Sequence, residues 1–246
     1  MKSREVSANR CYDASVRASR PGMFITFEGL DGCGKSTQLE KLAGALRAQG
    51  HKVVTTREPG GTEIGDRIRS LLLNSRTLGL DSRSELALMF ASRAQHIAEV
   101  IGPALRAGSI VLCDRFTDSS EAYQGGGRQL GSEPVLALHQ ILCGGLKPDL
   151  TIWMDSDVAA SVARARRRNR SRAGRNGAGK ADESRFERES RDFFQRVRNA
   201  YAAIAQRERQ RVVRVNARRS ITAVHHDIVM AVEKRLELNA AHLGKS

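Results

Sequence analysis

The chain is poor in aromatic residues: phenylalanine, tyrosine and tryptophan make up 4% of its 246 residues, with one tryptophan among them. Its most basic run, Arg164–Lys180, contains no aromatic and no acid, so nothing there signals a surface on which nucleic-acid bases stack. Long apolar stretches are also missing. No run approaches the roughly 18 residues expected of a membrane-spanning helix. No apolar stretch follows the charges of residues 1–22, which argues against a secretory leader. The cysteines, Cys11, Cys33, Cys113 and Cys143, form no C-x-x-C pair and suggest reduced thiols in a cytoplasmic setting. No Ser-His-Asp arrangement or metal-ligand cluster stands out, and the N-K-x-D sequence that reads guanine in GTPases is absent.

Positive charge, by contrast, is abundant. The net charge is +14, and the eight basic residues Arg164, Arg166, Arg167, Arg168, Arg170, Arg172, Arg175 and Lys180 lie in one run. Such a balance fits a solvated surface, a nucleic-acid partner or a polyanionic small substrate. The hydrophobic content of 40% is enough for a core, and the length suits one large domain or one domain with tails.

The stretch that organises the chain is Gly29–Ser36, GLDGCGKS, which reads G-x-x-x-x-G-K-[ST]. An apolar run, Met23–Phe27, leads into it and an amphipathic segment, about 36–49, leads out, so the context is strand, glycine loop, helix. Glycines let backbone N–H groups close around phosphate oxygens, and the helix N-terminus adds its positive end. Lys35 then reaches the β- and γ-phosphates, and the Ser36 hydroxyl is a ligand for Mg²⁺.

Strand and helix patterns alternate along the rest. Short apolar runs over 52–56, 109–113, 149–154 and 211–215 predict strands, the second of them buried on both faces. Helical periodicity covers about 64–73, 84–107, 134–142, 157–168, 184–207 and 222–238, with a kink or break at Pro103. Gly125–Gly127 predicts a loop, and 169–181 a mobile surface loop. Together these predict an α/β fold with a five-stranded parallel sheet, helices on both faces and a mobile basic lid over about 164–183. Residues 1–22 are expected to be a disordered tail, 23–238 the domain, and 239–246 a second tail. Asp114 ends a buried strand at the sheet edge where ligands bind; it is either a second carboxylate on the Mg²⁺ side or a cap for the next helix. Arg115 beside it can clamp phosphate bidentately.

Taken together, EGLDGCGKST (Glu28–Thr37), REPGGT (Arg57–Thr62), FASRAQH (Phe90–His96), DRF (Asp114–Phe116), AYQGGGR (Ala122–Arg128), PDLTIWMD (Pro148–Asp155) and SRFE (Ser184–Glu187) closely resemble bacterial thymidylate kinase, over about 23–236. The resemblance implies a P-loop nucleotide kinase in dTTP synthesis that transfers the γ-phosphoryl group of ATP to dTMP, with Mg²⁺ and as a homodimer, and with no specific nucleic-acid or membrane partner. It implies ATP binding by Gly29, Leu30, Asp31, Gly32, Cys33, Gly34, Lys35, Ser36 and Thr37. Asp31 matches an acid near the sugar 3′-OH and the metal, Glu58 the acid of the monophosphate pocket, and Arg115 the arginine between the two phosphates. Tyr123 matches the aromatic that crowds the 2′ position, with Gln124 in the same wall and Ser120 at the thymine edge. Phe90 resembles the ring that stacks on thymine and Arg93 the arginine contacting the acceptor. In many relatives that ring stands four residues before the arginine, which here is Met89. Relatives with glycine at the position of Gly32 take their catalytic arginine from the lid; Arg164, Arg166 and Arg168 match best. A phosphate monoester is already ionised near neutral pH, its second pKa being about 6, so this reaction requires cations rather than a general base.

Overall fold

The structure, a computed structural model, describes residues 22–173 and 184–243. The tail expected over 1–22 lies, but for Gly22, outside the described residues, as do 174–183 of the basic segment and the last residues, 244–246.

All the strands of the sheet are parallel: β1 (Met23–Glu28), β2 (Val53–Arg57), β3 (Ile110–Asp114), β4 (Leu150–Asp155) and β5 (Val212–Asn216), in the order β2-β3-β1-β4-β5. The three central strands are almost wholly buried, which is why their sequences run apolar rather than alternating; the edge strands β2 and β5 are only partly covered. Along β1, Met23, Ile25 and Phe27 face α1 (Lys35–Ala48) and α9 (Ile221–Leu243), where Leu39, Leu42, Val224 and Ile228 complete one core. Phe24 faces the other way and joins Val111, Phe90, Ile101 and Leu105.

The remaining helices are α2 (Glu63–Leu73), α3 (Ser82–His96), α4 (Gly102–Arg106), α5 (Thr117–Ser120), α6 (Ser132–Cys143), α7 (Val158–Ala173) and α8 (Arg191–Arg207). Capping marks their starts: Thr62, Asp81 and Ser190 each accept from backbone N–H groups of the first turn.

Several sequence expectations need correction. The helix expected over 84–107 is interrupted by a π-helical turn, Ile97–Ile101, before α4. Pro103 lacks the N–H that would bond the carbonyl of Glu99, so the regular ladder cannot pass this point. Gly125–Gly127 is not a loop but the end of a π-helical stretch, Glu121–Gly127, packed on α8. A Cβ on Gly127 would lie 2.6 Å from the Phe193 ring, so glycine here serves close packing rather than a turn. Residues 169–173 are helical, the last turn of α7, not loop, and α9 runs past Leu238 to Leu243. Among the described residues no helix is long and apolar enough to cross a membrane.

Candidate active site

Strands β1 and β3 are neighbours, but the chain leaves them in opposite directions, β1 toward β2 and β3 toward β4. Their carboxyl ends therefore open a crevice at the switch point of the sheet. The register pairs Phe27 with Asp114, so the loop Gly29–Gly34 and the Asp114-Arg115 turn emerge side by side. They line a polar cleft of about 210 Å³ with Arg57, Glu58, Arg69 and Arg168. Its lining carries the cations Lys35, Arg57, Arg69, Arg115 and Arg168 against the acids Asp31, Glu58 and Asp114.

At the loop end, Gly34 caps α1 with no side-chain bond, leaving the first N–H groups of the helix available to an anion. Lys35 is not exposed, as a loop lysine would be. It is 6% exposed, and its Nζ donates to the carbonyls of Gly29 and Leu30 at 3.1 and 3.0 Å. Leu30 and Cys33 point their side chains into the core, so only their backbone belongs to the loop's phosphate face. The Ser36 hydroxyl donates to Asp114 Oδ2 at 2.8 Å. A hydroxyl and a carboxylate together at the phosphate end are hard oxygen donors of the kind Mg²⁺ takes, so the pair fits that ion. The expected cap role of Asp114 is not seen: α5 has no side-chain cap. Glu58, His96 and Cys113 also bring ligand atoms within 4.8 Å of one another. Both Glu58 oxygens and both His96 nitrogens are already partnered, by Arg93, by each other and by Thr56, and the Cys113 thiol donates to the Arg115 carbonyl.

Arg115 occupies the centre. Its φ of 76° is a conformation few non-glycine residues adopt, and its guanidinium is held from several sides. Nη2 donates to Asp31 Oδ1 at 2.9 Å and to the Tyr123 hydroxyl at 3.1 Å, and Nη1 to Ser119 Oγ at 2.9 Å. The Tyr123 ring lies beneath it at 4.8 Å. Burial alone would raise the Asp31 carboxyl, but Arg115 and then Lys35 hold it well below the usual range. Arg115 in turn stays charged despite burial, because Asp31 faces it.

The acceptor-side residues converge on Arg93, which is 2% exposed. Its Nε donates to Glu58 Oε2 at 2.7 Å and its Nη2 to Ser120 Oγ at 3.0 Å. Its Nη1 is buried with no partner among the described residues. Burial would raise Glu58, but Arg93 and His96 keep it low. Phe90 does not line the cleft: its ring is fully buried, with Phe24 and Val111 around it and the Arg93 guanidinium 4.6 Å away. Met89, four residues before Arg93, is half-buried and packs against the apolar cluster that contains Tyr123. Gln124 is also turned away, its Nε2 donating at 2.8 Å to Glu85, a buried carboxylate that Arg128 and Arg185 share.

The three arginines of α7 diverge. Positions 164 and 168 share a helix face, and 166 lies opposite. Arg164 bonds the Gly32 carbonyl at 2.7 Å, Arg168 lines the cleft, and Arg166 points to the Glu187 carbonyl at 2.9 Å. Gly32 is where α7 crosses the loop; a Cβ there would meet the Ser161 carbonyl at 2.3 Å, so no larger residue fits beneath the helix. Sequence reasoning missed Glu28, His96, Arg128 and Arg185, although each stands inside a quoted motif, and Glu85, which stands outside them. Ser119 and Tyr201 carried no motif signal at all.

Comparison with known proteins identifies the family to which the fold belongs. The family model described as thymidylate kinase matches residues 27–228. A thymidylate kinase of Desulfovibrio desulfuricans is 48% identical over 224 residues, covering 91% of this chain and 99% of that protein. One from Pseudomonas putida is 48% identical over 207 residues, 84% of this chain and 93% of its own. The crystal structure of thymidylate kinase from Ehrlichia chaffeensis superposes with a TM-score of 0.67 at 32% identity, covering 86% of this chain and 98% of that one.

Proposed function

This chain belongs to the thymidylate kinase family, whose members transfer the γ-phosphoryl group of ATP to dTMP to give dTDP and ADP, and from that premise we propose how its cleft divides the work. The loop residues 29–37 hold the ATP phosphates, with Lys35 on the β- and γ-oxygens. Ser36 and Asp114 hold Mg²⁺, which when bound neutralises phosphate charge. Arg93 and Glu58 seat the dTMP end, with Ser120 at the base edge and Met89, rather than Phe90, on the face open to a ring. Tyr123 stands against C2′ of the sugar. Arg115 lies between the two phosphates, and Arg168 is the arginine of α7 that meets the transferring group.

The observation that carries this reading is Arg115: its guanidinium stands in the same cleft as Lys35, Ser36 and Asp114, and bridges Asp31 of the loop and Tyr123 on the acceptor side. An acceptor phosphate that is already ionised needs to be brought against a second anion, and cations on both sides do that. A homodimer is part of the same proposal, supported by Leu136, Ile141 and Leu142, which α6 leaves 40%, 76% and 44% exposed. So is a cytoplasmic place of action, supported by the free thiols of Cys33, Cys113 and Cys143. A coupled ADP-release assay across dTMP, dUMP, dCMP, AMP and GMP tests the assignment. Fastest turnover on dTMP supports it, and equal turnover on AMP or GMP contradicts it.

A further inference from the structure

Glu28 ends β1, immediately before the phosphate loop, and is fully buried. Its Oε1 accepts from the Phe116 backbone N–H at 2.8 Å. Its Oε2 accepts from the Ser119 hydroxyl at 2.5 Å and from the Tyr201 hydroxyl at 3.0 Å. Those two hydroxyl oxygens are also the acceptors for Arg115 Nη1, at 2.9 and 3.3 Å. Each hydroxyl has one proton. The two hydroxyls also lie 2.9 Å from each other, but a carboxylate is the stronger acceptor, so both protons turn to Glu28 and both oxygens are left with lone pairs for the guanidinium.

We propose that Glu28 is the positioning residue for Arg115: it fixes the turn that carries Arg115 through Phe116 and orients Ser119 and Tyr201 to receive the guanidinium. The turn needs such holding. Arg115 has a φ of 76°, and a conformation so sparsely populated persists only where its surroundings determine it. The inference rests on the reading of Arg115 as the arginine between the phosphates.

The same arrangement makes the holding sensitive to protonation. Burial first, then the neighbouring Asp118, push the Glu28 carboxyl up to about 7, against the pull of Ser119, Arg115 and the Phe116 N–H. The charged and titratable groups around it are Arg115 and Asp118 on the β3–α5 side, Cys113 on β3, Arg93 on α3 and Tyr201 on α8. Asp118 is itself paired with Arg211 at 2.7 and 2.9 Å. With a proton on, Glu28 becomes a donor toward Ser119 or Tyr201. One hydroxyl proton must then turn to the other hydroxyl, 2.9 Å away, and the pair that receives Arg115 is reoriented.

The test is Glu28→Gln, measured beside Arg115→Ala at saturating dTMP across pH 6 to 9. The expected result is a kcat at least about tenfold below wild type, a KM for dTMP within about threefold, and loss of an acidic limb near pH 7 that wild type shows. If Arg115→Ala keeps its kcat, the reading of Arg115 is at fault. If Arg115→Ala fails while Glu28→Gln keeps both kcat and the limb, or loses kcat with the limb unmoved, the positioning role is overturned. Should Glu28→Gln not fold by near-UV circular dichroism, the double variant Ser119→Ala, Tyr201→Phe decides. It removes both relaying hydroxyls without touching a charge, and should show the same fall in kcat; an unchanged kcat overturns the proposal.

Discussion

At one end of the cleft the working groups come from consecutive residues, Gly29–Thr37, on one strand-loop-helix unit. At the other end they come from the turn after β2, from α3 and from the helical turns after β3, with Glu58 reaching across 35 positions to Arg93 and Arg93 across 27 to Ser120. The first end is determined by backbone: a glycine loop, an uncapped helix start and a lysine folded onto carbonyls. The second is determined by buried charge pairs, each of which depends on a distant partner. The difference implies that the loop end tolerates loss of a side chain without unfolding, whereas the acceptor end couples selectivity to stability.

The largest effect expected within this comparison lies on α7, which touches the loop end. Arg168→Ala should lower kcat by at least about a hundredfold, since arginines that meet a transferring phosphoryl group are worth roughly 10³–10⁵ in rate, while KM for dTMP changes little. Arg166→Ala, on the opposite face of α7 against the Glu187 carbonyl, should stay within about twofold. Steady-state kinetics on both variants distinguish a positioned arginine from a general electrostatic funnel, which would make the two alike.

Next comes the buried pair. Glu58→Gln should raise KM for dTMP about tenfold or more and also lower stability, because removing one partner of a buried pair costs about 3–5 kcal/mol. The pH dependence has a definite sign. The Glu58 carboxyl is held low in the folded protein by Arg93 and His96, against burial. Its contribution is therefore complete above the unfolded value of about 4.3 and is lost as pH falls through the folded one. Thermal midpoints between pH 3 and 7 should fall less steeply toward acid for the variant than for wild type.

A smaller effect is expected at Tyr123, whose hydroxyl touches Arg115 and whose ring packs edge-on to Phe186 at 5.7 Å. Tyr123→Ala should narrow the kcat/KM ratio between dTMP and its ribo-analogue several-fold. An unchanged ratio would remove Tyr123 from the 2′ side of the sugar.

The contrast between the two ends also governs what could be read from sequence. The strands and the glycine loop were legible, because contiguous apolar runs and glycine spacing express short-range rules. The inward turn of Lys35 was not legible, since it depends on the loop carbonyls it meets. Phe90 and Met89 stand three and four residues before Arg93, and both spacings share a helix face. Only the position of the sheet shows that Phe90 goes to the core. Gln124 follows Tyr123 in the wall motif, but its amide is taken by Glu85, 39 positions away. Glu28 stands in the most recognisable motif of the chain, yet its role depends on Tyr201, 173 positions away, which no local pattern announces.

The claim that the loop end performs chemistry while the acceptor end selects is tested most directly by the turnover of Lys35→Ala at saturating dTMP. At least a hundredfold loss of kcat is expected, in a protein that remains folded by near-UV circular dichroism and keeps an undiminished affinity for dTMP by equilibrium titration. Retention of a tenth or more of wild-type kcat would mean that the glycine loop is not where the phosphoryl donor is held.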